Sequence, residues 1–331
     1  MIGRVLAVAC AAAALLVAAD PNDDINHEVR GVLTRYLRFA TTELADLHRG
    51  KIVRHSIDSD VPGELAVAGA VRVNVSKTAF LARVRDITRF KSSPDVLQIG
   101  RFSDPPTFQD LAALTIDRDD FNPATCHVGD CDSRLPADVI RQFERGRPAD
   151  HLKRILFDDI VAYINGSSGR MRQYDDGPRP IRPVDEFNAL LNREPAVGVL
   201  APGLPEHLRN FPSNRLEGAE DLLYWSKEKF GVAPFITVTH VTIVCRTAQT
   251  CVMATKDVYS SRYIDASLAL TIASDGLSDP NHFYLVYANR ARADALKGRF
   301  SMLRRAIAAR RARASLEENL GSLKNHLEKP R

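Results

Sequence analysis

Alternating apolar positions in the last third of the chain predict a run of antiparallel strands. Each segment is rich in β-branched and aromatic residues and is bounded by turn-forming residues. Two earlier segments follow the same pattern, which makes seven strands in all. The predicted strands are 65–75, 96–102, 221–230, 235–245, 251–259, 264–273 and 282–288.

The last predicted strand leads directly into a long helical segment, 292–328. Its apolar residues recur every three or four positions, which indicates one buried face. We expect this face to pack against the sheet. The residues that form it are Leu296, Phe300, Leu303, Ile307, Leu316, Leu320, Leu323 and Leu327.

The first half of the chain predicts two more helices, 26–48 and 77–90, separated by a polar loop and the first strand. Between the second and third strands the pattern changes to short helical pieces broken by proline and glycine. We therefore expect an N-terminal helix and loop over 20–64, a core formed by 65–107 and 221–331, and a helical insertion over 108–220. The sequence does not choose between a lid and a separate domain for the insertion.

The extreme N-terminus has the pattern of a cleavable secretory signal over residues 1–19. Arg4 precedes a charge-free apolar run that is shorter than the roughly 20 residues needed to span a bilayer. We expect cleavage after about Ala19 and a periplasmic or secreted protein. The composition, with 45% hydrophobic and 26% charged residues, is that of a globular protein.

The charge of the chain argues against nucleic acid as a partner but leaves an anionic membrane surface open. The formal net charge of +4 is too small to indicate nucleic-acid binding. Basic residues nevertheless concentrate in the terminal helix, which is typical of a solvated outer face. The alternative is peripheral contact with an anionic membrane surface.

The cysteines that follow the signal form two local pairs. Cys245 and Cys251 flank five residues between two apolar runs, as the two shoulders of a hairpin would. Cys126 and Cys131 enclose a short loop that contains a glycine. In an oxidising compartment we predict both local disulfides. A metal site at the second pair is disfavoured because no further ligand pair follows it.

The order strand, helix, strand, consecutive antiparallel strands and terminal helix resembles the START-like superfamily, also called helix-grip or SRPBCC-type. The tract 71–75, followed by Arg85, Asp86 and Ile87, adds a weak likeness. The tracts 224–228, 239–241 and 259–263 also look like those of exported bacterial proteins of unassigned function. The resemblance implies an α+β fold in which a seven-stranded curved antiparallel sheet grips the long C-terminal helix, with a helical insertion. It also implies a lipid, sterol or aromatic ligand between sheet and helix.

Candidate chemistry in the sequence is sparse. His240, within a predicted strand, is a weak catalytic candidate, for which the potential companions are Glu228, Lys256, Asp257, Tyr259, Tyr263 and Asp265. We find no serine-hydrolase elbow, calcium loop, metal site or cofactor motif in the sequence. Pockets are lined by aromatic side chains with a few placed polar groups. The predicted ligand-binding residues are Trp225, His240, Lys256, Tyr259, Arg262 and Tyr284.

The leading hypothesis is an exported protein that binds a hydrophobic or amphipathic small molecule without transforming it. One alternative is a START-like cyclase or hydrolase that uses His240. The other is an envelope interaction protein that acts through its basic terminal helix.

Overall fold

The computed structural model describes residues 24–166, 172–229, 233–298 and 301–329. One eight-stranded, fully antiparallel sheet organises the chain, in the order β1-β2-β8-β7-β6-β5-β4-β3. The strands are β1 (Val53–Ile57), β2 (Glu64–Val73), β3 (Val96–Arg101), β4 (Ala219–Glu228), β5 (Phe235–Cys245), β6 (Thr250–Ser260), β7 (Ala266–Asp275) and β8 (Phe283–Arg292).

Helices cover both faces of this sheet. Polar caps begin two of them, because the Asn26 side chain accepts from backbone N–H groups of α1 and the Ser76 hydroxyl does the same for α3. The helices are α1 (His27–Arg35), α2 (Thr41–His48), α3 (Lys77–Arg85), α4 (Ile87–Phe90), α5 (Ala137–Glu144), α6 (His151–Ile164), α7 (Pro183–Asn192), α8 (Ala196–Leu200), α9 (Leu204–Asn210) and α10 (Ser301–Glu328).

The α+β class and the antiparallel sheet with a C-terminal helix are confirmed, but the predicted number of strands was wrong. The eighth strand, β1, lies partly in the segment predicted to be a loop and pairs with β2 from Val53 opposite Ala70 to Ile57 opposite Ala66. Only the two ends of this short strand are apolar and buried. Its alternation is therefore too brief to distinguish it from a loop.

The two faces of the sheet carry different partners. We call the face that packs on α3, α4 and α10 the front face; it includes Val241 and Leu285. The back face includes Val238 and Val286 and packs on the N-terminal helices and on the segments between β3 and β4. The described residues of the predicted insertion therefore add their buried apolar side chains to the back of the sheet.

The terminal helix lies along β1 and β2 rather than across the central strands. Leu316, Leu320 and Leu327 are buried there, and Gly69 permits the close approach, since a Cβ at that position would lie 2.9 Å from Leu316. The prediction that the terminal helix buries one face along its whole length is wrong for the first half of α10, where Leu303 and Ile307 are 61% and 48% exposed. Phe300 lies outside the described residues.

Three helical predictions need correction because their boundaries were too generous. The segment 26–48 divides into α1 and α2 where Arg38 adopts a left-handed backbone conformation. The segment 77–90 divides at Asp86 into α3 and α4. Residues up to Arg292 belong to β8, so α10 begins only at Ser301.

Both predicted disulfides are confirmed. The sulfurs of Cys126 and Cys131 are 2.01 Å apart, and those of Cys245 and Cys251 are 2.07 Å apart. Among the described helices, none is long and apolar enough to cross a membrane. The predicted signal segment, 1–19, lies outside the described residues.

Candidate functional site

The front face divides into two halves along the strands. At one end, which we call the apolar half, side chains such as Val241, Ile243, Phe283 and Leu285 pack against Phe80 and its neighbours on α3 and α4. At the other end the same alternation brings polar side chains to the front. We call the following residues the polar half: Ser226, Glu228, Thr237, Thr239, Asp257, Ser267, Tyr287 and Asn289.

Hydrogen bonds hold the floor of the polar half in place. The Thr239 hydroxyl donates to Asp257 Oδ1 at 3.1 Å. The Ser226 hydroxyl donates to Glu228 Oε1 at 2.7 Å and lies 2.9 Å from Thr237 Oγ1. Ser226 and Thr239 are almost fully buried. Inward-facing polar groups that are fixed in this way are unusual in a sheet and indicate a site rather than a packed core.

Asp257 has an environment that favours its neutral form. Burial raises the pKa of this carboxyl to about 7; the charge of Glu228 acts in the same direction, and the Thr239 hydrogen bond opposes it. Its side chain is nevertheless partly accessible by surface area. The carboxyl is thus enclosed by protein atoms but still reached by solvent, and we call the space over it and its polar neighbours the front-face cleft.

Lys91, immediately after α4, extends over the polar half. The pKa of its ammonium is raised by Tyr224 first and then, against desolvation, by Glu228, Tyr287 and Asp257. All four residues therefore lie near its ammonium. Lys91 is exposed, and among the described residues no hydrogen bond or ion pair engages its Nζ. Its charge is therefore not paired with an acid in that part of the chain.

Apolar side chains lie near the polar half. Phe90 and Ile99 pack against the front-face core but remain partly accessible, and Ile99 is opposite Ser226. The front-face cleft thus combines hydrogen-bonded polar groups, one nearby cation and neighbouring apolar side chains. This combination suits a small molecule with a polar head and an apolar body.

A second polar cluster lies on the back face around Asp221. His207 Nε2 and His240 Nε2 each lie 2.9 Å from Asp221 Oδ1, and the Thr242 hydroxyl donates to the same oxygen at 2.8 Å. Tyr163 OH lies 2.8 Å from the other ring nitrogen of His240. Both imidazoles are fully buried. These residues come from α6, α9, β4 and β5, so the cluster connects the segments between β3 and β4 to the sheet.

Burial and hydrogen bonds shift the pKa values of the side chains in this cluster. Desolvation alone would raise the pKa of Asp221, but hydrogen bonds from His207 and His240 hold it well below its usual range. Desolvation lowers the pKa of His240 despite the nearby carboxylate, which favours a neutral imidazole. Lys256 lies close by, with Nζ donating to Leu208 O at 3.0 Å and 4.3 Å from the Phe187 ring centre. Burial lowers its pKa to about 8.

The residues predicted to bind the ligand lie away from the space between the sheet and α10. Trp225, His240, Lys256, Tyr259 and Tyr284 all project from the back face. Arg262 follows β6 and donates to Asp120 O. These residues therefore lie on the face of the sheet opposite α10, whereas the sequence analysis expected them beside it. Whether any of these residues contacts a ligand stays a prediction.

Several of these side chains have structural partners. Trp225 Nε1 donates to Asp110 O, and Tyr284 OH donates to Asp24 Oδ2. Tyr259 lines a cavity of about 40 Å³, which has room for water but not for a lipid. Of the suggested companions of His240, Glu228 and Asp257 lie on the front face, Tyr263 donates to Ala233 O, and Asp265 pairs with Arg134.

Sequence reasoning named Glu228, Asp257 and His240 but missed the other residues that the fold brings together with them. For the cleft, the available signal was the repeated polar residue at alternate strand positions, as in Thr237 and Thr239. That signal does not say which face a ligand would use, and Lys91 comes from a helix far away in sequence. For the back-face cluster, His207, Asp221 and His240 have no recognisable spacing, so only the fold reveals them.

Comparisons with family models, with curated proteins and with solved structures found no match for this chain.

Proposed function

We propose that this protein binds a hydrophobic or amphipathic small molecule in the front-face cleft, as a distant START-like variant of the helix-grip fold. The observation that carries the proposal is the polar half with Lys91 above it. In a sheet face that needed only to pack, these positions would be apolar, as they are at the other end of the same strands.

The element order supports the family part of the proposal. A strand, β2, is followed by α3, α4 and β3; five consecutive antiparallel strands then lead to α10. The long segment between β3 and β4 packs on the back face, so it does not obstruct the front. The helix lies near one edge of the sheet, which would make this a more open grip than the family pattern implies.

The cleft would recognise the two ends of an amphipathic ligand by different forces. Phe90 and Ile99 would remove water from its apolar body, at roughly 25 cal/mol per Å² buried. The ammonium of Lys91 would donate to an acceptor on the head. Asp257 and Glu228 would accept from donors on the head. A zwitterionic or hydroxyl-bearing head fits this set better than a purely anionic one.

Native mass spectrometry of the purified chain, followed by lipid extraction, tests the proposal. We expect co-purifying amphiphiles, or uptake of zwitterionic amphiphiles from a panel that also contains anionic lipids, sterols and aromatic compounds. Lys91→Met should weaken head-group binding about tenfold, since a hydrogen bond to a charged group contributes about 1.5–3 kcal/mol. Lys51→Met is the matched control, because Lys51 follows α2, is exposed and forms an ion pair with Asp46.

The contrary results are equally concrete. A chain that is empty after purification and gains no thermal stability from any member of the panel would contradict the proposal. Equal affinity loss in the Lys91 and Lys51 variants would show that the cleft is not the binding site.

An envelope interaction through α10 is a second candidate. Met302, Leu303 and Ile307 are 85%, 61% and 48% exposed, and Arg310 and Arg311 are exposed beside them. Apolar residues flanked by arginines suit an anionic lipid surface. We expect salt-sensitive binding to anionic liposomes that Leu303→Ser with Ile307→Ser abolishes. Binding unchanged by this double substitution would exclude the helix as the contact.

An enzyme acting through His240 receives less support. The imidazole is fully buried, and each of its ring nitrogens already has a hydrogen-bond partner, in Tyr163 and Asp221. A catalytic base must reach the proton that it removes. Loss of a measured turnover in His240→Gln would reverse this preference.

We also propose that the protein is exported from the cytoplasm. Two disulfides suit an oxidising compartment, and the pattern of residues 1–19 is that of a cleavable signal. Fractionation of cells that express the full chain, with N-terminal sequencing, should find a processed, exported protein. An uncut chain that remains in the cytoplasm would contradict this.

A further inference from the structure

We propose that His207, Asp221 and His240 form a binding site for one divalent transition-metal ion of the zinc type on the back face. Their three ligand atoms, two imidazole nitrogens and one carboxylate oxygen, lie within 4.8 Å of one another. Imidazole and carboxylate together are a donor set that zinc uses commonly.

The distances fit such an ion. Zinc bonds to histidine nitrogen and to carboxylate oxygen at about 2.0–2.2 Å, so ligand atoms around it lie roughly 3 Å apart. Each Nε2 is 2.9 Å from Asp221 Oδ1. Small side-chain adjustments would open this cluster around an ion without moving the strands that carry it.

The groups behind the ligands also suit a metal. A metal-bound histidine usually donates its second N–H to an oxygen, which fixes the ring orientation. His207 Nδ1 lies 3.1 Å from Asn214 O, and His240 Nδ1 lies 2.8 Å from Tyr163 OH. The Thr242 hydroxyl is 3.4 Å from His240 Nε2, where it or a water molecule would complete a fourth position.

The same contacts also form a hydrogen-bonded network when no ion is bound. The metal-bound and metal-free clusters differ in which ring nitrogen of each histidine carries the proton. Without a metal, the imidazoles donate to Asp221 from Nε2, and His207 Nδ1 accepts from Leu216 N–H at 3.0 Å. With a metal, Nε2 of each ring bonds to the ion and Nδ1 carries the proton. The tautomer of His207 therefore distinguishes them.

A metal here would connect α9 to β4 and β5. The site is buried and opens only at the Asp221 side chain, which is 18% exposed, so we assign it a structural role. It lies on the face opposite the proposed ligand cleft. Failure of one proposal therefore leaves the other standing.

Equilibrium dialysis of the metal-stripped full chain against Zn²⁺, followed by elemental analysis, is the direct test. We expect about one zinc ion per chain, and a rise in melting temperature of about 5 °C when free zinc is about 100 times its dissociation constant. His207→Gln and Asp221→Asn should each weaken zinc binding at least about tenfold. His326→Gln, at an exposed position of α10, is the matched control and should bind zinc like the native chain.

Nitrogen NMR of His207 in the native chain adds a readout that does not depend on a variant folding. We expect the proton to move from Nε2 to Nδ1 when zinc is added. A native chain that takes up no zinc would overturn the proposal. Equal zinc loss in His326→Gln and His207→Gln, or an unchanged His207 tautomer in the zinc-loaded chain, would also overturn it.

Discussion

The two halves of the front face belong to the same strands but have opposite chemistry. In the apolar half, Phe283 is fully buried and its ring centre lies 5.3 Å from that of Phe80 on α3. In the polar half, Asp257 and Tyr287 remain partly accessible, and a lysine rather than an apolar side chain extends over them. One half is built to stabilise the sheet, whereas the other keeps groups that stability alone does not require.

The difference also explains the position of the other elements. The short helices α3 and α4 cover the apolar half, and α10 follows the β1–β2 edge. The segments between β3 and β4 pack behind the sheet. Within the polar half, Ser226, Thr237, Thr239 and Ser267 are buried, whereas Glu228, Asp257, Tyr287 and Asn289 remain partly accessible.

The largest effect should come from the apolar half. Phe283→Ala removes a fully buried ring and should lower the free energy of unfolding by about 3–5 kcal/mol. Tyr287→Phe, in the polar half, is the matched variant and should change it by less than about 1 kcal/mol. Urea denaturation measures both. Similar losses in the two variants would remove the distinction between the halves.

The Cys245–Cys251 disulfide should come next. Cys251 belongs to the apolar front-face core, and the bridge closes a short hairpin. Replacing both cysteines with serine should cost about 2 kcal/mol by the loop-entropy relation, with ligand affinity unchanged. Urea denaturation and a binding titration on the same variant check the two parts. A loss of affinity larger than the loss of stability explains would connect the bridge to the cleft.

A smaller effect is expected from pH at Asp257. Its pKa is about 7 in the folded chain, against an ordinary value of 3.8 for aspartate, so between these values the folded chain holds a proton that the unfolded chain has released. Stability therefore falls as pH rises through this window. Asp257→Asn should reduce the fall by on the order of 1–2 kcal/mol, measured by urea denaturation at about pH 4.5 and about pH 8. An identical pH dependence in both proteins would contradict the assigned environment.

The smallest effect on stability should come from Lys91. Neighbouring groups, Tyr224 first, raise the pKa of its ammonium and so stabilise the charged form, but Lys91 is exposed, so Lys91→Met should lower the free energy of unfolding of the ligand-free chain by less than about 1 kcal/mol. Urea denaturation of ligand-stripped protein measures this. A loss of more than about 2 kcal/mol would mean that Lys91 stabilises the fold instead of binding a ligand.

Sequence patterns predicted the strands well because strong alternation marks them. The seven predicted strands, the two disulfides and the buried second half of α10 all follow from local spacing. The side of the sheet used by each candidate residue did not follow, because period-two alternation defines two faces without saying what covers them. His240 was expected beside a cavity between the sheet and α10, whereas it projects from the other face of the sheet, toward Tyr163 and Asp221.

The prediction of a buried face in the first half of α10 was wrong for a related reason. Leu303 and Ile307 have helical spacing that suits a buried face, but the sheet offers them no contact. Tertiary packing decides which apolar residues are buried, and spacing alone cannot decide it. The cleft and the back-face cluster, assembled from distant segments, depend on the same tertiary information.

Photo-crosslinking with a diazirine-bearing zwitterionic amphiphile tests the central claim most directly. Labelled peptides identified by mass spectrometry should contain residues that border the front-face cleft: Phe90, Lys91, Ile99 and Tyr287. Excess unlabelled amphiphile should suppress this labelling. Competed labelling confined to the back face, at Trp225, Lys256 or Tyr259, would contradict the account.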